Sequence, residues 1–279
     1  MSMIRRFTQL DVFTATPLLG NPLAVVHDAD GLSDAEMAAF ARWTNLSETT
    51  FLLNPTDSGA DYQVRIFTPQ RELPFAGHPT LGSCRAWLAA GGLAKKPGVV
   101  VQQCAAGLIR VRQSGQRLAF AAPPCTRTGP LEPAVIAQIC RALHITPEAI
   151  QTHQWVDNGP GWCAIRLASA EAVLALQPDY TTLKGLKLGV VGAHAAGYEA
   201  QFEVRALIGE GFGYEDPVTG SLNASLAQWL IASGQSADHY VASQGAALRR
   251  YGRVHVERED DTIWIGGDVA ACVSGTVTL

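Results

Sequence analysis

Three residues able to carry a proton stand close to two small, polar turns. Glu48 lies in NLSETTFLL, His78 in ELPFAGHPTLGSCRAWLAAGG (72–92) and Asp216 in YEDPVTGSLNASLAQWLIASG (214–234). Both long stretches set a glycine-containing turn directly against the start of an apolar, helix-like run. A helix N-terminus presents unpaired N–H groups and partial positive charge, so it can take an anion. Two such termini on one cleft could hold a small carboxylate and stabilise negative charge that develops during reaction. Gly77, Thr80, Gly220 and Ser221 are small enough to let a ligand approach the backbone. Plainer readings stand beside these. Glu48 at a helix–strand junction reads as a solvated acid, His78 as a local cap, and Asp216 as an Asx-turn or first-turn acid.

Other chemistries fail on context. TGSLN around Ser221 is not G-x-S-x-G, and GVVGAHAAG (189–197) runs into the strand-like QFEVRAL where a nucleotide loop would run into a helix. There is no Walker lysine motif, no HExxH and no CxxC, so neither a metal nor a bound redox cofactor is expected. The six cysteines are widely spaced and suit a reducing compartment. Hydrophobic residues make up 47% and charged ones 16%, below the roughly 25% usual in soluble domains. That balance predicts a large core. A net charge of −4 offers no surface for nucleic acid or an anionic membrane. No apolar run approaches the ~18 residues of a membrane span, and MSMIRRFTQLDVF is unlike a signal peptide. A soluble, cytoplasmic protein is expected.

The elements that must position these residues follow from periodicity. RFTQLDVF, LAVVHDA, TTFLLNP and YQVRIFTP read as strands, with a capping-box helix from Ser33 to about Trp43. A helix from about Pro79 stops at Gly91-Gly92. VVVQQCAAGLIRVR and RLAFAAPP read as a hairpin. Residues 123–133, PPCTRTGPLEP, read as a linker. The order then recurs: a helix near 132–143, a strand at WCAIRLA, a helix at 169–176, strands at LKLGVVGAH and QFEVRALIG, and the helix 221–233. Setting Trp87-Leu88 over Trp229-Leu230 gives an offset of 142 and predicts two similar halves.

GNPLAVV, NLSETTFLL, RIFTPQRELPFAGHPTLG and EDPVTGSLNASLAQWL together resemble the signature stretches of the phenazine-biosynthesis isomerase (PhzF-like) family, nearly end to end. The resemblance implies an α+β, diaminopimelate epimerase-like fold: two pseudo-symmetric halves, each a curved, mostly antiparallel sheet around a central helix, with the active site between them. The halves would be 1–125, with its helix near 79–90, and 126–279, with its helix near 221–233 and a final strand able to return to the first half. The family's acid/base glutamate falls on Glu48, its histidine on His78 and its aspartate on Asp216. Substrate contacts fall on Asn21, Gly77, Gly220 and Ser221. Ala76 and Pro217 stand about where related racemases carry catalytic thiols. Before EDPVTG the phenazine enzymes resemble R-x-F-S-P, whereas this chain has RALIGEGFGY, in a loop the resemblance places against substrate.

The implied activity is a cofactor-independent isomerisation of a small, conjugated or cyclic carboxylate, by a homodimer. A glutamate shut away from water has its pKa raised toward neutrality, which suits it to carry a proton between carbons. The rival reading is a metabolite-binding protein that keeps the fold without the chemistry. A thiol racemase is a distant third.

Overall fold

A computed structural model describes residues 3–279. Its first unit runs to Ala121 and takes back Gly266–Leu279; the second is Ala122–Ile265. The first opens with β1 (Ile4–Val12), β2 (Asn21–Val26), α1 (Asp34–Thr44), β3 (Glu48–Leu53), β4 (Tyr62–Phe67) and β5 (Glu72–Leu73). It continues with α2 (Gly77–Ala89), β6 (Val99–Cys104), β7 (Gly107–Ser114) and β8 (Arg117–Ala121). The second contains α3 (Pro133–Leu143), β9 (Thr152–Trp155), β10 (Trp162–Arg166), α4 (Ala170–Leu174), β11 (Lys187–Ala193) and β12 (Phe202–Ile208). After these come β13 (Tyr214–Asp216), α5 (Gly220–Ala232), β14 (His239–Gln244), β15 (Gly252–Glu259) and most of β16 (Thr262–Gly267), whose last two residues belong to the first unit. β17 (Val269–Thr278) returns to pair with β1.

The two units repeat one pairing pattern. In the first, β1–β2 is antiparallel, β2–β3 parallel, β3–β4 antiparallel, β4–β6 parallel and β6–β7 antiparallel. In the second, β9–β10, β10–β11, β11–β12, β12–β14 and β14–β15 repeat that alternation. The central helices match closely. α2 and α5 are both 13 residues long, with Ala90 and Ser233 as C-caps and Gly91 and Gly234 left-handed just beyond. Their first residues differ by 143 (220 − 77), so the Trp-Leu alignment is one residue out of register.

Each sheet wraps its helix because the helix is apolar and small enough to be enclosed. α2 packs against β1–β4, β6–β8 and β17, and is buried from Gly77 through Cys84. Gly82 marks the closest approach: a Cβ there would stand 2.4 Å from the Leu23 side chain. Polar groups carried inward are paired, as burial demands. Ser83 Oγ donates to Thr50 Oγ1 at 2.9 Å, and Gln102 Nε2 to Thr80 Oγ1 at 3.0 Å. Ser33 caps α1 through the expected capping box with Glu36.

Three readings are refined. VVVQQCAAGLIRVR is two strands, β6 and β7, because Gly107 adopts φ +106° and closes a tight hairpin at Ala105-Ala106. Residues 123–133, read as a linker, begin just past the unit boundary and are hydrogen-bonded along their length: Gln228 Nε2 donates to Pro123 O at 2.7 Å, and Trp155 N–H to Gly129 O at 2.8 Å. The polar turns before each helix contain short strands, β5 and β13, that the turn-rich composition conceals.

Candidate active site

In the first unit, the N-terminal ends of two neighbouring parallel strands meet the N-terminus of α2. Asn21 is the first residue of β2, Glu48 the first of β3, and Gly77 and His78 the first two of α2. The β2–β3 register, Leu23↔Glu48, sets the two strand ends side by side. Asn21 Nδ2 lies 3.5 Å from His78 Nδ1, and His78 Nε2 lies 3.4 Å from Glu48 Oε2. Asn21 is fully buried, and the side chains of His78 and Glu48 are 5% and 16% exposed.

Burial decides the charge of the histidine. Loss of water pushes the His78 imidazole down to about 3, so the ring is neutral at physiological pH. The approach to Glu48 is therefore no ion pair. An amide nitrogen can only donate, so Asn21 makes His78 Nδ1 the acceptor and leaves the ring proton on Nε2, 3.4 Å from Glu48 Oε2 but outside hydrogen-bond geometry. The two side chains are in contact there without a hydrogen bond between Nε2 and Oε2.

In the second unit, Asp216 ends β13 just before α5. Thr219 Oγ1 donates to Asp216 Oδ2 at 2.5 Å. Gln244 Nε2 donates to Thr219 Oγ1 at 2.9 Å and to the Asp216 carbonyl at 3.1 Å. Gln244 Oε1 accepts from Thr219 N–H at 3.0 Å and from Asn223 Nδ2 at 2.8 Å. The polar cluster is buried, and Gln244 fills its full hydrogen-bond capacity within it. Beside it, Ser221 Oγ accepts from Trp162 Nε1 at 3.0 Å, and the Ser221 carbonyl accepts from Asn158 Nδ2 at 2.9 Å.

Neither central helix has a side-chain N-cap. Ala76 cannot provide one, and the Thr219 hydroxyl turns to Asp216 instead. The plain N-cap reading of the two turns thus fails. The backbone at Gly77, His78, Gly220 and Ser221 keeps the positive end of each helix. By the 143-residue register, Ala76 matches Thr219 and His78 matches Ser221. The repeat is chemically uneven: Leu23 stands beside Glu48 as Trp162 stands beside Lys187, so Glu48 and His78 correspond to Lys187 and Ser221, and Asn21 to Pro160.

Sequence reasoning brought forward Glu48, His78, Asn21 and Gly77, which stand together, and Asp216, Gly220 and Ser221, which border α5. It missed Thr219, Gln244, Trp162 and Asn158. Thr219 was within reach as the neighbour of Gly220; Gln244 sits on a strand distant in sequence and leaves no local signal. The six thiols are all free, and burial pushes each of them up, Cys84 and Cys163 to about 12. None is poised as a thiolate. No helix among the described residues is long and apolar enough to cross a membrane.

The family model for phenazine biosynthesis-like proteins matches residues 10–275. Antisense-enhancing sequence 1 of Schizosaccharomyces pombe is 35% identical over 96% of this chain and 97% of its own length. The trans-2,3-dihydro-3-hydroxyanthranilate isomerase of Pseudomonas fluorescens is 35% identical over 83% of this chain and 82% of its own. Among solved structures, a PhzF-family protein from Enterococcus faecalis superposes with a TM-score of 0.83 at 24% identity, covering 99% of this chain and 100% of that one.

Proposed function

The chain belongs to the phenazine biosynthesis-like family and is an isomerase, and we propose that it shifts a proton on a small, conjugated or cyclic carboxylate using Glu48. The observation that carries this reading is the buried Asn21–His78–Glu48 chain at the end of α2. A C–H bond adjacent to the conjugated system breaks, and its proton passes to the Glu48 carboxylate. The electron pair moves through the conjugation, and Glu48, after exchanging its carboxyl proton with solvent, returns a proton at another carbon. Neutral His78, fixed in one tautomer by Asn21, stands 3.4 Å from Glu48 Oε2 and sets no opposing charge beside the carboxyl that carries the proton. In the second unit, Asp216 with Thr219, Gly220 and Ser221 are carried over as substrate contacts from the motif EDPVTGS, and the helix end at Gly77 favours an anion. Asn21 completes the substrate contacts.

The raised thiols speak against a racemase that uses cysteine. They also suit a reducing, cytoplasmic setting. A homodimer is the proposed assembly, and light scattering at micromolar concentration tests it.

The deciding experiment follows solvent deuterium into trans-2,3-dihydro-3-hydroxyanthranilate, the compound named for the Pseudomonas relative, and into a panel of cyclic, unsaturated carboxylic acids, by NMR. Carbon-bound deuterium with the wild type and its loss in Glu48→Gln are expected. Binding of these acids without exchange would leave a metabolite-binding protein instead.

A further inference from the structure

We propose that Arg205 and Glu215 are positioning residues that set where Asp216 stands, an inference that rests on the reading of Asp216 just given. β13 is only three residues long, paired to β12 at Ile208↔Tyr214, Leu207↔Glu215 and Ala206↔Asp216. So short a strand holds its place poorly by backbone bonds alone. Successive side chains alternate in direction, so Glu215 points away from the face on which Asp216 meets Thr219.

Arg205 grips that opposite face. Its Nε lies 3.1 and 3.2 Å from the two Glu215 oxygens, and Nη2 donates to Oε2 at 2.7 Å. Nη1 donates to the Val173 and Leu176 carbonyls at 3.3 and 2.9 Å, at the end of α4. The fork thus ties the catalytic strand to a second element, using the planar, bidentate geometry that only arginine offers. The side chains are 6% and 3% exposed. Burying such a pair costs solvation and is a poor source of stability, so its effect is better sought in position.

The other unit supplies an internal control. Arg65 and Glu72 form the same bidentate pair in the same register, one strand residue before the pairing Ile66↔Leu73. There the rung matching Asp216 is Leu73, which carries no polar group, and the pair is 22% and 36% exposed with Asp34 as a third partner. The buried version occurs where a carboxylate follows it in sequence.

The test compares Arg205→Lys, Glu215→Gln, the apolar double variant Arg205→Met/Glu215→Met, and Arg65→Lys. Two signals report on Asp216 without any substrate: its side-chain carboxyl carbon resonance, assigned with Asp216→Asn, and the Thr219 amide resonance. Turnover is read as deuterium incorporation into trans-2,3-dihydro-3-hydroxyanthranilate. In Arg205→Lys and in the double variant, both resonances should move. The rate constant should fall about 10- to 100-fold, the scale of an ångström-level displacement, with KM little changed. Arg65→Lys should leave all three as in the wild type. If Arg205→Lys does not fold, the double variant decides, since apolar replacement of a buried pair is commonly tolerated. Unmoved resonances in a folded variant, or equal loss in Arg65→Lys, would overturn the proposal. If the wild type exchanges neither the probe nor any acid of the panel of cyclic, unsaturated carboxylic acids, the catalytic reading of Asp216 falls, while the two resonances still decide whether the clamp positions it.

Discussion

Replacing His78 by glutamine should remove a pH dependence that the folded protein owes to one ring. Burial holds the His78 imidazole at about 3, against an ordinary value near 6.5 in the unfolded chain. Between those values the unfolded state binds the proton and the folded state does not, so stability rises with pH across this window and is lost as pH falls below 6.5. The full difference is about 3.5 pH units, or roughly 5 kcal/mol at about 1.4 kcal/mol per unit. The accessible part, from pH 6.5 to 5.0, amounts to about 2 kcal/mol. Urea unfolding at pH 7.5, 6.5, 5.75 and 5.0 measures it in wild type and variant. His27 is also buried and lowered, so the difference between the two proteins, not the wild-type curve alone, isolates His78. The wild-type advantage should shrink by about 2 kcal/mol toward pH 5, and ring NMR signals of His78 should stay neutral there. Parallel curves, or a His78 resonance titrating near 6.5, would refute both the burial argument and the neutral, Nε2-protonated ring on which the proton-transfer scheme depends.

Three other outcomes are expected. Glu48→Gln should lower turnover about 10²–10⁴-fold with carboxylate binding kept, while thiol alkylation of the wild type leaves the rate nearly intact; the reverse pattern would point to cysteine chemistry. Gly82→Ala should destabilise by roughly 1–3 kcal/mol, because its Cβ would meet Leu23 at 2.4 Å; an unchanged thermal midpoint would show that the sheet yields there. Ser33→Ala should cost about 1 kcal/mol by loss of the α1 cap, read in urea, without affecting catalysis.

The residues local to each element announced themselves in the sequence. The Ser33–Glu36 capping box, the alternation in β1 and β4 and the glycine stops after α2 and α5 depend on neighbours a few residues away. The two motifs around His78 and Asp216 were equally legible, and with them the family and its two-halved architecture. What only the tertiary structure decided lies in contacts across many residues. β5 and β13 are strands because β4 and β12 offer them open edges, despite turn-like composition. Gln244 joins Asp216 and Thr219 through strand pairing that no periodicity records. The chain names His78, but its charge state and tautomer come from the burial that α2 undergoes and from an asparagine 57 residues away. A sequence fixes which groups can titrate; the dielectric around them, and hence what they do, exists only once the sheet has closed around its helix.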